Sequence, residues 1–191
     1  MGCRSLPGWL AALLIAAVGA LSLAACGDSS SSGSTLPRNV VVPLSVVNQF
    51  FPDVTQEAST GQNTTAVGNP TATRSVIYTT SDGSKKVTLT VDQYESASDA
   101  SSAYQEAVQK SEVVPGFTPL PPPTVGQQAF AGTVTMGAET HVGLGALDGM
   151  LIVGATLAGY DATPDNTARL VALARTEDAT AKAALGISGS P

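Results

Sequence analysis

Three strand-like runs follow one another with no helical pattern between them: Ala129 to Met136, Thr140 to Leu147 and Met150 to Tyr160. The last two are joined by Asp148-Gly149, a dipeptide that accepts the positive backbone angles of a tight hairpin. This stretch constrains the fold more than any other, because strands linked by such short turns must pair antiparallel. A second hairpin precedes it. Arg74 to Thr80 carries Val76, Ile77 and Tyr78, Ser81-Asp82-Gly83-Ser84 supplies a turn, and Val87, Leu89 and Val91 then alternate with Thr88, Thr90 and Asp92. Strands with one apolar face need a second layer to bury it.

Caps and helical spacing locate that layer. Leu44 to Phe51 sets Val46, Val47, Phe50 and Phe51 on one face and stops at Pro52. Ser96 precedes a helix with Asp99 three residues on, and Ala100, Ala103, Tyr104, Ala107 and Val108 make its apolar stripe. Thr163-Pro164-Asp165 combines an N-cap, a proline at the first helical position and a first-turn acid, and Leu170, Val171 and Ala174 begin a buried face that runs to about Leu185, before Gly186. Asp53 to Thr73 reads as loop, and the five prolines between Val113 and Gly126 predict an extended covering loop. The expectation is an α+β two-layer sandwich, an antiparallel sheet of about five strands with helices on one face, formed by residues 39–191 as a single domain.

The front of the chain has a different character. Arg4 precedes an apolar run from Trp9 to Ala25, which falls short of the roughly 18 to 20 residues that cross a bilayer core and has the layout of an export signal. Leu23-Ala24-Ala25-Cys26 resembles the lipobox of bacterial lipoproteins, in which the cysteine sulfur is acylated and becomes the first residue of the processed chain. That resemblance implies residues 1–25 as signal peptide, Cys26 as the lipidation site, and a body anchored on the extracytoplasmic face of the cell membrane. Two or more acyl chains hold a protein stably where one does not. The competing reading is an ordinary secretory signal followed by a free or paired Cys26. Cys3, the other cysteine, would leave with the signal, so no internal disulfide is expected. Residues 26–38 are serine-rich and read as a tether.

Charge excludes one class of partner. The chain carries a formal charge of −6 with no basic cluster, so nucleic acid is not expected. Chemistry is equally thin. His141 is the only histidine and lies in a strand, where alternation points it opposite to Val142. No Gly-x-Ser-x-Gly elbow accompanies it, and with no other histidine and no free thiol expected a metal site would need carboxylates alone. No catalytic residue, metal or cofactor is therefore assigned; a hydrolase using His141 is the minor alternative. The stretches DGSKKVTLTVDQYESASDASSAY, VGQQAFAGT and GYDATPDNTARLVALA resemble secreted lipoproteins of mycobacteria and related actinobacteria, and more loosely the extracellular sensor domain of a mycobacterial serine/threonine kinase. The resemblance implies an envelope location and a binding or sensing role; with no catalytic set among the residues, enzymatic activity is not expected. For a binder of lipid or glycolipid, the candidate contacts are Tyr94, Phe117, Phe130 and Tyr160. The alternative is a structural module that docks another cell-envelope protein.

Overall fold

The computed structural model describes residues 34–187. Cys26, the signal and most of the tether lie outside the described residues. In chain order the elements are β1 (Ser34–Thr35), a single 3-10 turn (Arg38–Val40), α1 (Leu44–Phe50), β2 (Gln56–Gly61), β3 (Ala72–Thr79), β4 (Lys86–Gln93), α2 (Ala97–Glu112), β5 (Phe117–Leu120), β6 (Gln128–Met136), β7 (Glu139–Asp148), β8 (Leu151–Ala158) and α3 (Pro164–Leu185). The sheet has eight strands in the order β1-β3-β4-β8-β7-β6-β5, with β2 also on β3. All pairings are antiparallel except β1 on β3. The fold is the expected α+β class, but the sheet is larger than five strands for reasons visible in the residues. Gln56–Gly61 is mostly polar and largely exposed, so it carries no apolar alternation, yet it pairs with β3 from Thr79 to Ser75. Phe117–Leu120 lies inside the proline-rich segment and contains Pro119, which is admissible because β5 is the edge of the sheet.

Register assigns side chains to faces. On one face β3, β4, β8 and β7 contribute Val76, Tyr78, Val87, Leu89, Val91, Leu151, Leu157, Leu144 and Ala146, and onto these pack Leu170, Leu173, Ala174 and Ala181 of α3, with Val47 and Phe51 at α1. Each fully buried leucine there contributes about 1.5–3 kcal/mol. The caps of α3 are those expected: Thr163 Oγ1 accepts from the Asn166 N–H at 3.2 Å, and Gly186 closes the helix at φ 66°. Not all helices share this face. The partners Leu147 and Ile152 point the other way and join Tyr94 and Phe130 beneath Ala100, Ala103 and Tyr104, so α2 covers the opposite side. The reason is connectivity: β4 ends at Gln93 and α2 must cross toward β5 at the far edge, touching β8, β7 and β5 on the way.

The strands also define two poles. Ser34 pairs with Ala72, Ala72 with Gln93 and Gln93 with Leu151, so the chain enters at the pole that carries loop 62–71 and the Asp148-Gly149 hairpin. The opposite pole carries the turn after β3, the turn after β6 and the start of α3. Gly159 sits there at φ 75°, and a Cβ would stand 2.1 Å from the Ser84 carbonyl oxygen, so no other residue fits.

Candidate functional site

The α2 face of the sheet differs in kind from the α3 face. Along its centre β7 presents His141, Gly143, Gly145 and Leu147, β8 presents Ile152, Gly154 and Thr156, and β4 presents Thr88, Thr90 and Asp92. Alternation places every one of these opposite the apolar core positions. All are buried: Thr88 is 1% exposed and His141 2%. Burial of a polar group is costly unless it is hydrogen-bonded. Thr88 Oγ1 and both ring nitrogens of His141 have no hydrogen-bond partner among the described residues, and the nearest charge to His141 is Glu139 Oε2, 3.6 Å from Nε2.

The glycines on this face have a steric cause where it is resolved. Gly145 lies under the ring of Phe130, which would meet an added Cβ at 2.6 Å, and Gly132 lies under Phe117, at 2.2 Å. Phe130 in turn stacks edge-on against Tyr104 of α2, ring centroids 5.6 Å apart. The helix above is attached mainly through Ala100, Ala103 and Ala107, with Tyr104 its one large buried residue.

At the entry pole Asp92 is fully enclosed. Burial pushes its carboxyl up to about 7, against the Asn63 amide that donates to both oxygens at 2.9 Å. That pair, with the Tyr94 hydroxyl donating to the Val67 carbonyl at 2.6 Å, fastens loop 62–71 beside α2. Between this loop and α2 lies a surface hollow of about 320 Å³ lined by Gly68, Asn69, Tyr94, Glu95, Asp99, Ser102, Ala103 and Glu106. A second hollow, about 310 Å³, opens at the opposite pole between Asp53, Lys85, Tyr160, Asp161, Asn166 and Arg169. Two of its charges pair: Asp53 takes Lys85 Nζ at 2.8 Å and the Tyr160 hydroxyl at 2.9 Å, and Lys85 also lies 4.9 Å from the Tyr160 ring centroid.

The four residues expected from the sequence therefore divide. Phe117 and Phe130 are on the α2 face, over glycines; Tyr94 is packed under the start of α2 and lines the entry-pole hollow; Tyr160 belongs to the α3-side core, edge-on to Phe51, and lines the other hollow. They do not form one site. His141 points away from Val142 as alternation requires, though it is buried. Thr88, Thr90 and Thr156 were not expected, because a threonine opposite a buried valine or leucine reads as solvent-facing.

Comparison with known proteins identifies the class of fold. The extracellular domain of PknH from Mycobacterium tuberculosis superposes with a TM-score of 0.54 over 73% of this chain and 93% of that one, at 12% identity, which establishes a shared α+β sandwich and no more. LpqN of Mycobacterium tuberculosis, involved in cell envelope biogenesis, aligns over 56% of this chain and 68% of its own at 15% identity and a TM-score of 0.34, too loose to define a shared fold. No protein-family model matches the sequence, and no curated protein does either. No helix among the described residues is long and apolar enough to cross a membrane.

Proposed function

We propose that this chain is a non-enzymatic binding domain of the cell envelope, held on the extracytoplasmic face of the membrane by lipid on Cys26, and that it takes a lipid or glycolipid between α2 and the sheet. The observation that carries the ligand reading is the row of enclosed polar atoms, Thr88 Oγ1 and the His141 nitrogens, that no described group satisfies. A ligand bearing hydroxyls along an apolar body would supply the missing partners. The seam that holds α2 is built of alanines, so separating it costs less than separating α3 from its leucine core. The anchored, outward setting is supported by the lipobox pattern and by the fold's likeness to an extracellular domain.

Two measurements test this. Mass spectrometry of the chain expressed whole in an actinobacterial host is expected to find Cys26 as the first residue, bearing a diacylglycerol thioether, and an N-terminus at Met1 would overturn the anchor. Extraction of the same protein is expected to release a copurifying lipid in near-stoichiometric amount, reduced several-fold by Thr88→Leu at unchanged thermal midpoint. A lipid-free protein, or equal lipid in the folded variant, would overturn the site. A recurrent crosslinked envelope protein in place of lipid would favour the docking alternative.

A further inference from the structure

The two poles of the sheet are unlike in charge, and the chain enters at the poorer one. Loops 61–71 and 121–127 at the entry pole contain no Asp, Glu, Lys or Arg. Asp148, in the hairpin between them, is taken by Lys182 Nζ at 2.5 Å. The exposed charges left there are Glu95 and Asp99 at the start of α2, Glu106 beside the same hollow in its pair with Lys110, and Arg175 of α3, whose Nε donates to the Thr124 carbonyl at 2.7 Å. The opposite pole holds Asp53, Asp82, Lys85, Glu139, Asp161, Asp165 and Arg169.

From the entry pole the backbone is pinned: the Ser34 amide donates to the Thr71 carbonyl at 2.9 Å and Ser34 pairs with Ala72. Cys26 lies eight residues earlier. Fully extended, that length spans at most about 29 Å. The sheet stands about 26 Å tall over an eight-residue strand such as β4, before its turns are added. A chain of that reach cannot lay the far pole on the surface to which Cys26 is fixed unless it runs straight along the sheet edge. Beyond Thr73 that edge is occupied by β2.

We infer that the entry pole, made of loops 61–71 and 121–127 and the Asp148-Gly149-Met150 hairpin, is the surface that faces the lipid headgroups. This rests on Cys26 being the anchor. Loops 61–71 and 121–127 themselves approach headgroups with no ionised side chain to strip of water, whereas the charge-dense pole holds seven, four of them paired as Asp53–Lys85 and Asp165–Arg169. The hollow beside Tyr94 then opens toward the bilayer, and the Asp53–Lys85–Tyr160 hollow opens away from it. With three exposed carboxylates, Glu95, Asp99 and Glu106, against Arg175, the surface gains nothing from anionic lipid, so its approach to neutral headgroups is insensitive to ionic strength.

The test uses the lipidated protein in phosphatidylcholine vesicles that carry a fluorescent acceptor on the headgroup. Processing removes Trp9, the sole tryptophan, so a single introduced tryptophan reports position. Energy transfer from Asn69→Trp and from Gln127→Trp is expected to exceed that from Ser81→Trp and Ala138→Trp at least two-fold, with no change between 20 and 300 mM salt. Equal transfer from both poles, or stronger transfer from Ser81→Trp, would overturn the orientation. Failure of the anchor is seen separately: Cys26 would lack acyl mass, and coupling a maleimide lipid to that thiol would then test the orientation without it.

Discussion

The two faces of the sheet are buried to similar degrees by opposite means. Under α3 the positions are leucine, valine and tyrosine, packed against Leu170 and Leu173. Under α2 the same strands, one residue out of phase, offer threonine, glycine, histidine and aspartate. The apolar contact on the α2 face is confined to the smaller cluster of Tyr94, Tyr104, Leu147, Ile152 and Phe130, which leaves the rest of that face for a different purpose. The contrast teaches that burial in this molecule does not measure contribution to stability. The α3 face fixes the fold, and the α2 face carries groups that cost stability where they stand.

The sharpest way to break this contrast is to cut the α3 seam. Leu173 is wholly buried, so Leu173→Ala removes apolar contact and leaves a cavity, with an expected loss of about 2–5 kcal/mol. Urea unfolding followed by far-UV circular dichroism would read the loss as a lower midpoint at unchanged slope. A loss below about 1 kcal/mol would mean that α3 is not the principal seam.

The α3 side holds two buried carboxylates, Glu177 and, beside Lys182, Asp178, whose carboxyl burial also pushes up. Glu177 is buried on α3, where Oε2 accepts from the Val42 amide at 2.8 Å and Oε1 has no partner among the described residues. Burial pushes its carboxyl up to about 8, only partly opposed by the Val42 amide and by Arg38. The folded state thus holds a proton that the unfolded chain, near 4.5, releases earlier. Its contribution is fully present below about pH 4.5 and is lost as pH rises toward 8. Asp92 adds a loss of the same sign that ends near pH 7. Glu177→Gln is expected to be near neutral at pH 4.5, to gain about 1–3 kcal/mol over the parent at pH 9, and to leave the shallower decline due to Asp92 and Asp178. Parallel pH profiles for the two proteins would show that Glu177 is ionised throughout and that its enclosure does not govern its titration.

On the α2 face the largest expected cost is steric. Gly145→Ala would force the Phe130 ring off its seat and with it the contact to Tyr104, for about 1–3 kcal/mol. Pairing it with Phe130→Leu, which vacates the space above Gly145, is expected to recover part of the loss in a double-mutant cycle. Strict additivity would sink the assignment of that glycine to the ring.

Most of the fold was legible because the signals were local. Alternation through β3, β4, β7 and β8, the Asp148-Gly149 turn, and the caps of α2 and α3 each state their own structure within a few residues. What was not legible depends on the edge and on distance. Gln56–Gly61 is exposed on both sides and needs no apolar phase, and Phe117–Leu120 tolerates Pro119 because its outer edge has no strand to bond. The position of α2 on the far face was hidden by composition, since threonine, glycine and aspartate in the alternate phase read as wet. Tyr94 and Tyr160 look equivalent in sequence and lie at opposite poles, because only strand register decides which end of the sheet each reaches.

The smallest expected effect separates the two faces best. Thr88 is 1% exposed, yet its hydroxyl finds no partner among the described residues. Replacing it with the near-isosteric valine removes the desolvation cost without opening a cavity, so Thr88→Val is expected to leave stability unchanged or raise it by up to about 1 kcal/mol. The same swap in reverse on the α3 face, Val87→Thr, adds an unsatisfied hydroxyl to a fully apolar environment and is expected to cost about 1–3 kcal/mol. Both are read from urea midpoints. Were Thr88→Val to destabilise as Val87→Thr does, the hydroxyl would be serving the fold, and the reason to look for a ligand beneath α2 would disappear.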